Sequence, residues 1–207
     1  AVTVNLALTT AQLGGGDAAG DILSNIENVT GAAFDDILMG NALANSIDGG
    51  VGVDTVSYNN SIAGVIVNLA LTTTQAGGYA ASDILSNIEN LIGSNFNDTL
   101  GSNFIVNIID GGTGVDTASY ASSSAGVNVN LALTTAQVSG GDAAGDILLN
   151  IENLIGSAYD DILSGTSAAN IINGGTGVDT VSYADSATAV TVNLLLTTAQ
   201  LGTGDAV

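Results

Sequence analysis

The sequence contains no lysine, arginine or histidine, and no cysteine, proline or tryptophan. Each absence removes a class of function. Phosphate recognition needs Lys or Arg to displace counterions, so nucleic acid is excluded as a partner, and anionic lipid surfaces repel the chain for the same reason. Disulfides, thiolate metal sites and cysteine nucleophiles are absent by count. Serine triads and His-ligated zinc fall with the missing histidines. No apolar run approaches the roughly 18 residues of a membrane span, and no cationic leader segment is present, so membrane insertion is not expected. What remains is acid: 20 Asp and Glu among 207 residues, a formal charge of −20. No pair of side chains can form a salt bridge. Every carboxylate must therefore be solvated, hydrogen-bonded or bound to a cation from outside, and a bound metal is the economical expectation.

The apolar content argues against disorder. The chain is 46% hydrophobic with a mean hydropathy of +0.46, whereas disordered segments are poor in Val, Ile and Leu. Self-similarity then dominates the reading. Val-Asn-Leu occurs at 4–6, 67–69, 129–131 and 192–194, so its asparagines step by 63, 62 and 63. Asn-Ile-Glu-Asn at 25–28, 87–90 and 150–153 holds every Glu, and Gly-Gly-x-Gly-Val-Asp-Thr recurs at 49–55, 111–117 and 174–180. Asp36, Asn45 and Asp54 are nine apart, as are Asp98, Asn107 and Asp116, and Asp161, Asn170 and Asp179. The single-residue slip between units falls in Thr-Thr-x-Gln-x-Gly-Gly, which is expected to be a surface loop.

The expected organisation is one continuous repetitive domain over 1–207. It comprises a partial repeat at 1–15, repeats of about 16–77, 78–140 and 141–203, and a partial end. Residues 1–18 and 189–206 differ at only two positions, as expected for a window of a longer repetitive protein or one segment of a polymer.

Val2, Val4, Leu6 and Leu8 alternate with Thr3, Asn5 and Ala7, the period-two signature of a half-buried strand. Asp-x-apolar triplets such as Asp36-Ile37-Leu38 follow each turn, and no segment carries sustained helical periodicity. Short strands with turns every nine to sixteen residues predict an all-β fold, a parallel β-solenoid (β-roll or β-helix) built from 62–63-residue repeats. With about three coils per unit at roughly 4.8 Å each, the segment makes a rod on the order of 50 Å long. An antiparallel sandwich is the rival, but its Greek-key pairing does not account for tandem repetition.

Residues 49–57, 111–119 and 174–182 each match the nonapeptide G-G-x-G-x-D-x-U-x, with Ala118 as the weak apolar position of the second. Here the chain resembles the calcium-binding RTX (haemolysin-type) proteins of secreted bacterial origin, in the form of a long repetitive surface or filament protein. The resemblance implies Ca2+ clamped between successive turns by glycine-region carbonyls and the Asp of each turn. The implied ligands pair Asp36 with Asp54, Asp98 with Asp116 and Asp161 with Asp179. Gly49, Gly50, Gly52, Gly111, Gly112, Gly114, Gly174, Gly175 and Gly177 supply the loop backbone. Calcium takes several hard oxygens in flexible geometry, which such turns offer. The departures are that Phe34, Phe96 and Tyr159 occupy the third-glycine slot of the first nonapeptide, and that Asn45, Asn107 and Asn170 replace Asp in the middle one, which is expected to be metal-free.

Other candidates carry less. Asp35-Asp36 and Asp160-Asp161 could imitate glycosidase carboxylates, but the middle unit has Asn97-Asp98. Glu27, Glu89 and Glu152 are read as solvated, Tyr58, Tyr120 and Tyr183 as coil packing, and Tyr79 and Phe104 as facing a neighbouring molecule. No enzyme is expected; a calcium-dependent polysaccharide lyase would need Arg or Lys for its acidic substrate, and an ice-binding face would need Thr-x-Thr ladders. The expected function is an extracellular, calcium-stabilised structural protein at the bacterial cell surface, forming a filament, surface layer or adhesin stalk. Its expected partners are calcium ions and copies of itself stacked head to tail. The alternative is a folding and secretion module of a type I-secreted enzyme or toxin.

Overall fold

The computed structural model describes residues 1–138 and 140–196. The end of the third expected repeat, 197–203, and the partial end after it lie outside the described residues.

Turn chemistry every nine residues leaves room for strands of only two or three residues. In the first unit these are β1 (Thr3–Asn5), β2 (Asn28–Thr30), β3 (Ile37–Met39), β4 (Ser46–Asp48) and β5 (Thr55–Ser57). The second unit contributes β6 (Ile66–Asn68), β7 (Ile84–Ser86), β8 (Asn90–Ile92), β9 (Thr99–Gly101), β10 (Ile108–Asp110) and β11 (Thr117–Ser119). The third contributes β12 (Asn128–Asn130), β13 (Ile147–Leu149), β14 (Asn153–Ile155), β15 (Ile162–Ser164), β16 (Ile172–Asn173) and β17 (Thr180–Val181). Every pairing between these strands is parallel. Single-turn 3-10 segments at Gly16–Ala18, Gly78–Ala80 and Gly141–Ala143 are the helical elements. The fold is a parallel β-solenoid of the β-roll kind, as the repeat pattern predicts.

Partners eighteen residues apart, such as Ile37 with Thr55 and Thr99 with Thr117, mark coils of two nonapeptides. Along each sheet these alternate with longer coils of 33–39 residues, such as Ile66 to Thr99 and Ile108 to Ile147. The sheets run β1-β3-β5-β8-β10-β13, β16-β14-β11-β9-β6, β12-β15-β17 and β2-β4-β7. Three strands of the first unit thus begin a sheet that β8 and β10 of the second unit and β13 of the third continue. The equivalent strands β6, β9 and β11 lie in a different sheet. Successive units interlock through backbone hydrogen bonds. They are not beads joined by linkers.

Strand alternation puts the middle residue inward. Val4, Leu38, Val56, Leu91, Ile109 and Leu148 stack in register down the longest sheet, the four between the ends at 0% exposure. Each such side chain contributes about 1.5–3 kcal/mol by leaving water. Ala118 fills the apolar slot of β11 and is itself fully buried. Tyr58 and Tyr120 are buried in the same core, which agrees with a packing role, and Tyr79 is half-buried against the core where a neighbouring molecule had been expected. Phe104 stays 86% exposed.

The Thr-Thr-x-Gln-x-Gly-Gly stretch is not simply a surface loop. Its threonines are exposed, but Gln12, Gln75 and Gln137 are buried. Gln75 Oε1 accepts the Asn68 backbone N–H at 2.8 Å, Nε2 donates to the Asn68 carbonyl at 3.3 Å, and the Gln75 N–H donates to the Asp83 carbonyl at 2.8 Å. Gln12 and Gln137 repeat this with Asn5 and Asp21, and with Asn130 and Asp146. The side-chain amide acts as a surrogate peptide group. It joins the Val-Asn-Leu strand to the segment leading into the next Asp-Ile-Leu strand.

Replacing Gln75 or Gln137 by Ala removes a donor and an acceptor opposite two backbone groups, a loss of about 1–3 kcal/mol for each unsatisfied group. The expected outcome in thermal melts is a Tm lower by several degrees for each variant and additive for the pair, with Glu, which cannot donate, no better than Ala.

Candidate metal centre

Glycine turns stack on one another because their backbones approach closely. Gly50 and Gly52 have φ of 94° and 156°, a region that side chains avoid. A Cβ on them would sit 2.8 Å from the Ala32 carbonyl oxygen and 2.7 Å from that of Phe34. Turns 31–36 and 49–54 are thereby superposed one coil apart, and turns 93–98 with 111–116 and 156–161 with 174–179 repeat the contact. Phe34, Phe96 and Tyr159 leave their rings in solvent at 46–65% exposure while their carbonyls face the glycines.

This stacking brings the predicted aspartates together in pairs, with unequal roles. Asp36 N–H donates to Asp54 Oδ1 at 2.8 Å, Asp98 N–H to Asp116 Oδ1 at 2.8 Å, and Asp161 N–H to Asp179 Oδ1 at 3.1 Å. The upper member of each pair is fully satisfied by donors. Asp98 Oδ1 accepts the Val65 N–H at 2.7 Å and the Ser94 hydroxyl at 2.8 Å, and Oδ2 accepts the Ser94 N–H at 2.6 Å. Asp161 does the same with Val127 and Ser157, and Asp36 takes the N–H groups of Val2 and Ala32. The lower members differ. Asp54 Oδ2 and Asp116 Oδ2 are buried with no hydrogen-bond partner.

Burial pushes the Asp54 carboxyl up, the Asp36 N–H draws it down in part, and the Asp36, Asp35 and Asp48 carboxylates add to the rise. Asp116 is pushed up to about 6 by burial, opposed by the Asp98 N–H and reinforced by Asp98, Glu152 and Asp110. A buried carboxylate oxygen with carbonyls around it and no donor fits a hard cation. No group of three acidic, Cys or His side chains converges among the described residues, so an ion here takes one carboxylate with carbonyls and water.

The Asn positions have their own logic. Asn107 Nδ2 donates to the Glu89 carbonyl at 2.7 Å while Oδ1 accepts the Asn103 N–H at 3.0 Å. Asn45 and Asn170 bind Glu27 and Glu152 carbonyls in the same way. A donor is required, which Asp lacks. Asp35, Asn97 and Asp160 only accept, from Val53, Val115 and Val178 N–H groups, which explains why Asp and Asn interchange there. In all three units this position serves as an acceptor within the stacked turns.

Glu89 and Glu152 depart from the solvated role expected of them. Glu89 Oε2 accepts the Asp54 N–H at 2.7 Å and Glu152 Oε2 accepts the Asp116 N–H at 2.7 Å. The signal was present: Glu89, Asp98, Asn107 and Asp116 continue one nine-residue ladder. Glu27 is exposed. Two further buried acids were not singled out. Asp83 and Asp146 accept the Asn45 and Asn107 N–H groups at 2.8 Å through Oδ1. Through Oδ2 they accept the hydroxyls of Tyr58 at 3.0 Å and Tyr120 at 3.2 Å.

A solenoid of stacked glycine–aspartate turns is the architecture of calcium-binding β-rolls. The RTX calcium-binding nonapeptide repeat (4 copies) matches residues 30–61 and 150–183, the glycine turns of the first and third units with their flanking strands. No curated protein matches the chain. Those two segments are thus similar to RTX-type repeats, and Ca2+ is the metal such repeats take.

Burial pushes Asp83 up to about 6 and Asp146 up to about 7, against the lowering effect of their N–H and tyrosine donors. Their unfolded value lies near 4, so between about pH 4 and 7 the folded chain holds more protons. Stability from this source is full below about pH 4 and is lost as pH rises through the folded values. In metal-free buffer Tm should therefore rise on acidification from pH 8 to pH 5. D83N with D146N should flatten that slope, as followed by circular dichroism melts.

Proposed function

We propose that this chain is an extracellular structural protein of a bacterial surface, a calcium-stiffened rod acting in a filament, surface layer or stalk, and that it is not an enzyme. The observation that carries the reading is the handover of sheets between units: β5 pairs with β8, β10 with β13 and β11 with β14. An axial load then passes through backbone hydrogen bonds shared by neighbouring units. The buried acid positions recur with the repeat, as scaffold does; a catalytic group has no reason to recur with the fold.

Extracellular calcium supplies the cation that the composition lacks. Binding to the folded turns raises stability by mass action and relieves repulsion among 20 carboxylates. Self-association follows from the strand edges. β1 lies at the edge of its sheet, and an unblunted edge recruits further strands. A head-to-tail contact that does not close yields a filament.

Light scattering and negative-stain electron microscopy of the pure chain test the reading. Rods longer than one chain are expected in millimolar CaCl2, with shorter species and a lower Tm in EGTA. A strictly monomeric species at high concentration in calcium would defeat self-assembly and leave the monomeric stalk.

A further inference from the structure

The glycine turn 49–54 has two neighbours along the stack. On one side is turn 31–36, the partner that the RTX resemblance implies, whose Asp36 has both oxygens occupied by N–H donors. On the other side is the turn of the next unit containing Asn87, between β7 and β8. Asn87 has φ of 50°, and its side-chain Nδ2 donates to Asp48 Oδ1 at 2.7 Å. In this pose its carbonyl oxygen points at the glycine turn. A Cβ placed on Gly49 would lie 2.0 Å from that oxygen and 2.7 Å from the orphaned Asp54 Oδ2.

The same junction is built again at the next unit. Asn150 has φ of 52°, Nδ2 donates to Asp110 Oδ1 at 2.7 Å, and a Cβ on Gly111 would lie 2.2 Å from the Asn150 carbonyl oxygen and 2.7 Å from Asp116 Oδ2. Two acceptors converge twice at buried positions, with no donor for the carboxylate oxygen. Glu89 and Glu152 bring a second negative charge, their Oε2 atoms 2.7 Å from the Asp54 and Asp116 nitrogens. Acceptors facing acceptors repel unless a cation or a proton stands between them.

We propose that the calcium of this chain is held at the junctions between consecutive units, by Asp54 with the Asn87 carbonyl and by Asp116 with the Asn150 carbonyl, and not between the paired glycine turns within a unit. The remaining positions go to water. Each ion then cross-links one repeat to the next, which is where a tandem rod most needs a clamp. The inference rests on the calcium-binding reading of the repeats and refines its address.

E89Q with E152Q, at the junctions alone, is the discriminating variant, and D54N with D116N tests the carboxylates that both placements share. Each amide keeps the acceptor for the N–H of Asp36 or Asp98 and sets a donor opposite the Asn87 or Asn150 carbonyl, replacing the cation with a hydrogen bond. Melts in CaCl2 and in EGTA, with calorimetric titration of CaCl2 at fixed temperature, give the readout. The expected result is a calcium-dependent Tm rise in the parent chain that vanishes in D54N/D116N, whose metal-free Tm equals or exceeds that of the parent. E89Q/E152Q keeps its hydrogen bonds and removes one charge per junction, so its calcium affinity should fall about tenfold. This variant decides the address whether or not D54N/D116N folds. A full calcium response in D54N/D116N overturns both placements at these aspartates. Parental affinity in E89Q/E152Q overturns the junction site and returns the ion to the glycine-turn pairs, which share Asp54 and Asp116 but not the glutamates. A parent chain with identical melts in CaCl2 and EGTA overturns the calcium reading itself.

Discussion

A buried carboxylate in this chain has no side-chain cation to meet. That constraint organises the rest of the structure, because burying an unpaired charge costs several kcal/mol and seven aspartates are buried among the described residues. Backbone amides supply the compensation. Carboxylates on the stacked edges reach across one coil to a backbone N–H: Asp98 to Val65, Asp116 to Asp98, Glu152 to Asp116. The contact satisfies the carboxylate and also fixes the height and register of the next coil. Strands of two or three residues could not specify register by themselves, since so short a ladder carries few hydrogen bonds.

The same economy extends to the amides. Asn107 spans two coils by donating to one backbone and accepting from its own turn, and Gln75 stands in for a missing peptide group where the strand pattern breaks phase. Where an N–H donor is lacking, at Asp54 Oδ2 and Asp116 Oδ2, the compensation must come from a proton or an external cation. Calcium then does the work that lysine and arginine do in ordinary proteins. A chain that acquires its positive charge only where calcium is abundant couples folding to its surroundings through mass action.

Much of this architecture was legible in the residues. Alternation in Val2–Leu8 and the nine-residue ladder Asp36, Asn45, Asp54 announced short strands and a parallel solenoid, because inward and outward facing is a local consequence of the pleat. The stacking of turns eighteen residues apart followed from the same period. Glu89 and Glu152 lay on that ladder too, but a Glu beside an Asn reads locally as a solvated residue, and only the next coil supplies the N–H that holds it.

Sequence by itself determined the fold class, the eighteen-residue step between paired glycine turns and the absence of any side-chain cation, since these depend on composition and period alone. The division of labour within each aspartate pair was decided by tertiary structure. Asp36 and Asp54 stand in similar turns, yet one is capped by N–H groups of its own turn and of the Val2 strand, and the other faces a carbonyl of the following unit. Likewise Gln75 sits in a polar, glycine-rich stretch indistinguishable from a loop until the segments on either side of it are brought together. For the aspartates the deciding strands lie 33–39 residues away, and a one-dimensional pattern does not carry which unit's backbone will lie against which carboxylate.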